Sequence, residues 1–169
     1  RRKGCRVTGC DVAEKMMDIG RKKVAQKKLD QKVTLVSGAA ENLPFDPNTF
    51  DAAMVAFGVR NFNDLEKGLT EMNRVLKPGG KILVLEFSIP QNPIFKALYL
   101  FYFLNVLPFM GGLISGNRKA YAYLPESVLK FPQGEEFLGL LQKAGFTDTQ
   151  CENLTMGIAT LYQGIKSIK

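Results

Sequence analysis

The chain has 169 residues, 46% hydrophobic and 23% charged, the size and composition of one globular domain, which excludes wholesale disorder and collagen-like repetition. With 23 Lys and Arg against 16 Asp and Glu, the net charge is +7, which permits an anionic partner without specifying one. Histidine is absent, so a Ser-His-Asp triad, imidazole acid–base catalysis and a His-built zinc site are excluded within this chain.

Cys5, Cys10 and Cys151 form no CxxC pair and leave an odd thiol, the usage of a reducing compartment rather than of a disulfide framework. Cys10, in an apolar stretch, is expected to be a small buried hydrophobe. No signal peptide is visible, and the chain opens on Arg1-Arg2-Lys3 rather than Met, as though cut from something longer.

Arg6 to Cys10 reads as a short strand ending at the acidic Asp11. Ala13 to Leu29 follows as a helix whose Met16, Met17, Ile19, Val24 and Leu29 line up as one apolar stripe beside a basic face. Val33 to Val36 is a strand, and Leu43 to Asn48 is loop. Phe50 to Phe57 reads as a buried strand. Asp64 is placed to cap a helix running through Leu76, which Lys77-Pro78-Gly79-Gly80 stops. Lys81 to Phe87 is another buried strand, and an apolar insertion spans Ile94 to Ile114. Gln133 to Ala144 forms a helix ended by Gly145, and Phe146 to Leu154 and Ile158 to Lys166 are two closing strands. Strands apolar on both faces and alternating with helices predict an α/β fold, with a mostly parallel sheet covered on both sides. There is no internal repeat, low-complexity tract or linker, so residues 1–169 are expected to form one domain.

Asp11 sits after a strand and before a helix, where open parallel sheets bind ligands. Its two acceptor oxygens suit the two adjacent hydroxyls of an adenosine ribose. It equally suits a cap for the helix beginning near Val12 or Ala13. Nicotinamide and S-adenosylmethionine folds both place an acid there, so both classes stay open at this point. No GxGxxG and no Walker-type loop occurs in the chain.

Four segments then follow in order: Gly38-Ala39-Ala40-Glu41-Asn42-Leu43-Pro44-Phe45, Phe57-Gly58-Val59-Arg60-Asn61, Arg74-Val75-Leu76-Lys77-Pro78-Gly79-Gly80 and Leu85-Glu86-Phe87-Ser88-Ile89-Pro90. With Tyr121-Ala122-Tyr123-Leu124-Pro125-Glu126-Ser127 and the closing Asn153 to Ala159, they resemble the class I S-adenosylmethionine methyltransferases. More narrowly, they resemble the ubiquinone/menaquinone biosynthesis C-methyltransferase family, in its demethylmenaquinone methyltransferase-like group. The resemblance covers essentially the whole chain. It implies a Rossmann-like sheet, mostly parallel, with a closing antiparallel hairpin and an apolar substrate cap at about residues 90–130.

Two departures stand out. The family carries a first strand, a Gly-rich loop and a helix before the Asp11 strand, and these are missing here. Their absence is expected to leave unpaired edges on the Arg6–Cys10 and Phe50–Phe57 strands, and to weaken contacts to the methionine part of the cofactor. The family also usually has Asn-Ala where Ala39-Ala40 stand, and Ser where Ala56 stands, so side-chain hydrogen bonds are lost at both places.

The resemblance implies S-adenosylmethionine as cofactor, held by Asp11, Val12, Met16, Ala39, Ala40, Glu41, Ala56 and Phe57. It implies methyl transfer to a ring carbon of a demethylated quinol, with no metal. Arg60 would stabilise the developing phenolate, since a guanidinium stays protonated, and Asn61 would orient the ring oxygen. On chemistry alone, Arg60 pairing with an acidic loop residue such as Asp64 is an equal reading. Tyr121 and Tyr123, in a loop, are substrate-side candidates.

The apolar insertion approaches the length of a membrane span, but Asn105, Pro108 and Gly111-Gly112 interrupt it. It reads as a cap packing the ring or isoprenoid tail of a lipid quinol, with core or dimer contact as the plainer alternative. The basic excess favours anionic lipid, hence a cytoplasmic protein peripheral at the inner membrane face. Arg21-Lys22-Lys23 with Lys27-Lys28 is a solvated helix face, and no nucleic-acid module surrounds it. A nicotinamide oxidoreductase would need a Tyr-x-x-x-Lys pair or its equivalent, and none is suitably placed. Two alternatives remain: a non-catalytic membrane-associated module of the same shape, and a methyltransferase of another small acceptor.

Overall fold

The computed structural model describes residues 4–110 and 118–168. Its strands fall into two sheets. β1 (Val7–Asp11) and β2 (Val33–Ser37) form a parallel pair, joined by α1 (Glu14–Gln26), which packs on β2. β3 (Phe50–Ala56), β4 (Leu76–Phe87), β5 (Phe146–Leu154) and β6 (Ala159–Lys166) form a four-stranded sheet ordered β3-β4-β6-β5. There β3 and β4 run parallel, whereas β6 is antiparallel to both β4 and β5. The closing hairpin is therefore where the sequence places it.

Beyond α1, four α-helices are described, among them α2 (Leu65–Val75), α4 (Arg118–Lys130) and α5 (Glu135–Lys143). Between β4 and α4 lies α3 (Pro93–Phe101), which continues through a π-helical stretch (Tyr102–Val106) to Met110. The Asp64 carboxylate caps α2 by accepting the Lys67 N–H at 3.0 Å. After Pro78, Gly79 adopts φ +77°, a conformation that its missing Cβ makes cheap.

Two expectations about burial are corrected. The four-stranded sheet is covered closely on one face only. Leu69, Leu76, Ile82, Val84, Phe137, Leu141 and Tyr162 form the core there, beneath α2 and α5. On β3, Ala53 and Val55 face this core while Met54, on the opposite face, is 77% exposed. The α1 stripe is also partial: Met17 is buried, but Met16 and Ile19 are exposed, since α1 is docked on a two-stranded sheet too narrow to cover them. β1 pairs only with β2 and β3 only with β4, so each has one unpaired edge among the described residues.

A second cluster joins α3 to α4 through Tyr99, Phe103 and Val128, with Phe87 of β4 packed against it. Tyr121 and Tyr123, expected in a loop, lie in the helix α4, which has Pro125 inside it. The chain tolerates that proline, although it removes one helical N–H. Residues 111–117 of the apolar insertion, and the Tyr121 side chain, lie outside the described residues.

Candidate functional site

β1 and β2 end side by side, with Asp11 paired to Ser37 and the Gly38 N–H donating to the Asp11 carbonyl at 3.2 Å. This puts Asp11 next to Gly38, Ala39 and Ala40. Gly38 has no room for a side chain: a Cβ would lie 2.8 Å from Pro44 and 2.9 Å from the Cys10 sulfur. Cys10 is half-buried rather than fully buried; burial, then the Asp11 charge, push its thiol pKa up. The three cysteines are free thiols.

Asp11 is not the cap of α1, whose N-cap residue is Ala13 and has no side-chain cap bond. The Asp11 Oδ1 accepts the Ala13 N–H at 2.8 Å across a local turn, and its Oδ2 keeps its acceptor capacity. Val12 and Met16 stand beside it, 68% and 63% exposed, offering apolar surface next to a free carboxylate oxygen. This donor set fits the adenosine half of S-adenosylmethionine, whose ribose needs acceptors and whose adenine needs apolar cover. Ala39 and Ala40 bring backbone groups only.

The loop after β2 is tied forward to the loop after β3. Glu41 Oε1 accepts the backbone N–H groups of Asn63 at 2.6 Å and Asp64 at 3.2 Å. Burial pushes the Glu41 carboxyl up, but the N–H groups of Glu41, Asp64 and Asn63 together outweigh it and hold its pKa below the usual value. Glu41 is thus a strap between two loops. Farther along, Glu71 accepts the Leu43 N–H at 2.9 Å, and Arg74 donates to the Leu43 and Phe45 carbonyls. The Arg74 hydrogen bond is the main influence holding the Glu71 carboxyl pKa down.

At the end of β3, Ala56 is exposed and Phe57 takes φ 55°, an unusual left-handed conformation for an aromatic residue. Its ring meets Phe87 at 4.4 Å between centroids. The chain then turns through a short 3-10 helix, Val59–Asn61. Arg60 does not pair with Asp64. Its Nη1 lies 2.6 Å from Glu86 Oε1 and also donates to the Phe57 carbonyl, while its Nε donates to Ser127 Oγ at 3.3 Å. The guanidinium stands 5.5 Å from the centroid of the Phe87 ring. The Arg60 side chain is 10% exposed and that of Glu86 0%. Removing one partner of so buried a pair costs about 3–5 kcal/mol.

Asn61 is exposed, and its Oδ1 accepts the Tyr123 hydroxyl at 3.0 Å, which leaves the Asn61 amide N–H groups to point elsewhere. Arg60, Tyr123 and Ser127 line a cleft of about 400 Å³ with Val59, Phe62 and Phe131. Its volume suits a ring-sized ligand, and its walls are largely apolar. The structure therefore gathers Asp11, Val12, Met16, Ala39 and Ala40 in one group, and Arg60, Asn61 and Tyr123 in another. Glu41 joins the loops between them. Glu86 and Ser127 were not picked out from sequence; a buried charge inside an apolar strand was the one visible signal for Glu86.

Residues 1–166 match the model of the ubiE/COQ5 methyltransferase family. The chain belongs to that family. It is 50% identical over 160 residues to a ubiquinone/menaquinone biosynthesis C-methyltransferase of Geobacter sp. (strain M21), covering 95% of this chain and 68% of the relative. It is 43% identical over 158 residues to a demethylmenaquinone methyltransferase of Bacteroides fragilis (strain ATCC 25285), covering 94% of this chain and 64% of the relative. The chain thus spans about two thirds of the length of these relatives. Among solved structures, an S-adenosylmethionine-dependent methyltransferase from Thermotoga maritima superposes with a TM-score of 0.64 at 23% identity, covering 95% of this chain and 72% of that one. That likeness establishes the fold: a Rossmann-like class I methyltransferase.

Proposed function

We propose that this chain carries methyl transfer from S-adenosylmethionine to a ring carbon of a demethylated quinol, the step that completes a menaquinone or ubiquinone head group. The observation that carries this reading is Arg60, locked by its neighbours at the carboxyl end of β3 and lining a ring-sized, largely apolar cleft. The two relatives described above, named for C-methylation in quinone biosynthesis, support it.

S-adenosylmethionine supplies a methyl group already activated by its sulfonium. Asp11 would hold the ribose through its free oxygen, and the exposed Val12 and Met16 would cover the adenine. The acceptor hydroquinone loses a phenolic proton to water, and Arg60 donates to the resulting oxyanion. The electron-rich ring carbon then forms the new C–C bond as the S–C bond breaks. Loss of that carbon's own hydrogen as a proton, with the oxygen reprotonated, restores the aromatic ring, so one proton is released per transfer. Asn61, held through its carbonyl by Tyr123, orients the second ring oxygen with its amide N–H groups. Holding donor and acceptor in line is the larger part of the catalysis.

The lipid quinol also gives a use to α3 and its continuation. Over Pro93–Met110 the mean hydropathy is 1.4 and only 11% of the segment is buried. Ile94, Leu98, Phe101, Tyr102 and Phe109 lie exposed along it. We infer a peripheral contact with the cytoplasmic face of a membrane, where the quinol is met; an interfacial helix buries such a face among acyl chains. Incubation with labelled S-adenosylmethionine and a prenylated naphthohydroquinone should give a labelled quinol, and Arg60→Met should abolish it. Vesicle flotation with anionic lipid should recover wild type and lose Leu98→Glu/Phe101→Glu. Transfer only to soluble acceptors, without flotation, would favour a different methyltransferase specificity.

A further inference from the structure

Glu86 lies at the end of β4 with a side chain fully removed from solvent, and its carboxylate serves one residue above all. Oε1 accepts Arg60 Nη1 at 2.6 Å and the Phe87 N–H at 3.0 Å, and Oε2 accepts the Arg60 backbone N–H at 3.3 Å. Glu86 therefore grips Arg60 at both ends, main chain and guanidinium. With Nη1 also on the Phe57 carbonyl and Nε on Ser127, the one guanidinium nitrogen with no protein acceptor among the described residues is Nη2.

We propose that Glu86 is a positioning residue for Arg60: it fixes which guanidinium edge meets the acceptor and neutralises the charge behind that edge. This rests on the methyl-transfer reading above. A buried ion pair is dispensable for stability when apolar groups of equal volume replace it, so stability alone does not explain its retention. The charge argument is sharper. A free guanidinium would bind an ionised acceptor tightly before reaction, and binding that is equal in ground and transition states does not raise kcat. A guanidinium already paired with Glu86 offers oriented N–H donors without that ground-state trap.

The test compares wild type, Glu86→Gln and Glu86→Asp. It measures labelled methyl transfer to a prenylated naphthohydroquinone, and equilibrium binding of the same hydroquinone, per folded molecule counted by circular dichroism. Glu86→Gln should lower kcat by about 100-fold, the scale of a misplaced catalytic group. Its KM for the hydroquinone should stay level or fall, and Glu86→Asp should recover part of kcat. Unchanged kcat per folded molecule, or a rise in KM that accounts for the whole loss, overturns the proposal. If Glu86→Gln does not fold, Glu86→Asp carries the test: a lower kcat without a higher KM supports it, and an unchanged kcat overturns it. A wild type that binds the hydroquinone but transfers no methyl refutes the methyl-transfer reading. Glu86 is then judged by binding, where a folded variant weaker than wild type overturns the proposal. A wild type that does not bind the hydroquinone overturns both.

Discussion

Glu41 and Asn63 are 22 residues apart in sequence and meet at 2.6 Å, carboxylate oxygen to backbone N–H. Because Gly38 is bonded to Asp11 and Asn63 follows Arg60-Asn61 by two residues, this contact ties the loop beside Asp11 to the loop that carries Arg60. Glu41→Gln should lower the melting temperature at neutral pH, since a neutral acceptor replaces a charge-assisted one. The Glu41 pKa is held down in the folded state, so its contribution is complete above the unfolded carboxyl value of about 4.3. It fades as the pH falls through the lower folded value. Melting curves of wild type and variant should therefore differ at neutral pH and converge in acid; a difference that persists in acid contradicts the strap.

Asp11 has two separable duties, and two variants separate them. In Asp11→Asn the side-chain carbonyl can keep the Ala13 N–H, but the other atom becomes a donor facing the ribose. Affinity for S-adenosylmethionine, measured by calorimetry, should drop about 10-fold or more, as for loss of a hydrogen bond to a charged group, with little change in stability. Asp11→Ala should lose the same affinity and also about 1 kcal/mol of stability as the turn bond to the Ala13 N–H disappears.

The Tyr123 hydroxyl reaches from α4 to the Asn61 carbonyl oxygen at 3.0 Å, so Tyr123→Phe frees the Asn61 amide without disturbing the core. Steady-state kinetics should show a raised KM for the quinol acceptor and an unchanged KM for S-adenosylmethionine. The stability change should stay within about 1 kcal/mol, as for one solvent-accessible hydrogen bond.

Gly68 on α2 lies under the Phe62 ring, which helps line the cleft, and a Cβ there would sit 2.5 Å from Phe62 Cδ2. Gly68→Ala should gain about 1 kcal/mol of helix propensity and lose about 1–3 kcal/mol to overpacking. Denaturant unfolding should show net destabilisation, and Gly68→Val should be worse.

Sequence reading was most accurate where signals are local. Asp64 as a cap, Gly145 after α5 and the β5–β6 hairpin all depend on neighbours in the chain, and all stand as read. It failed where distant contacts decide. Tyr123 reads as loop in the sequence, yet Val128 buried against Tyr99 and Phe103 anchors that segment as helix. Met54 and Met16 are apolar and exposed because burial is set by which layer arrives, not by residue type. Arg60 was legible as a functional candidate, but its partner was not: Glu86 lies 26 residues away in a strand that reads as core.

The most direct measurement is the position of the transferred carbon. Labelled S-adenosylmethionine and a prenylated naphthohydroquinone are incubated with the protein, and the product is examined by NMR. The expected spectrum shows the label as a methyl on a ring carbon, absent when Arg60→Met replaces wild type. A label found on oxygen as a methyl ether, or no transfer by a protein that binds both compounds, would contradict ring-carbon methylation at Arg60.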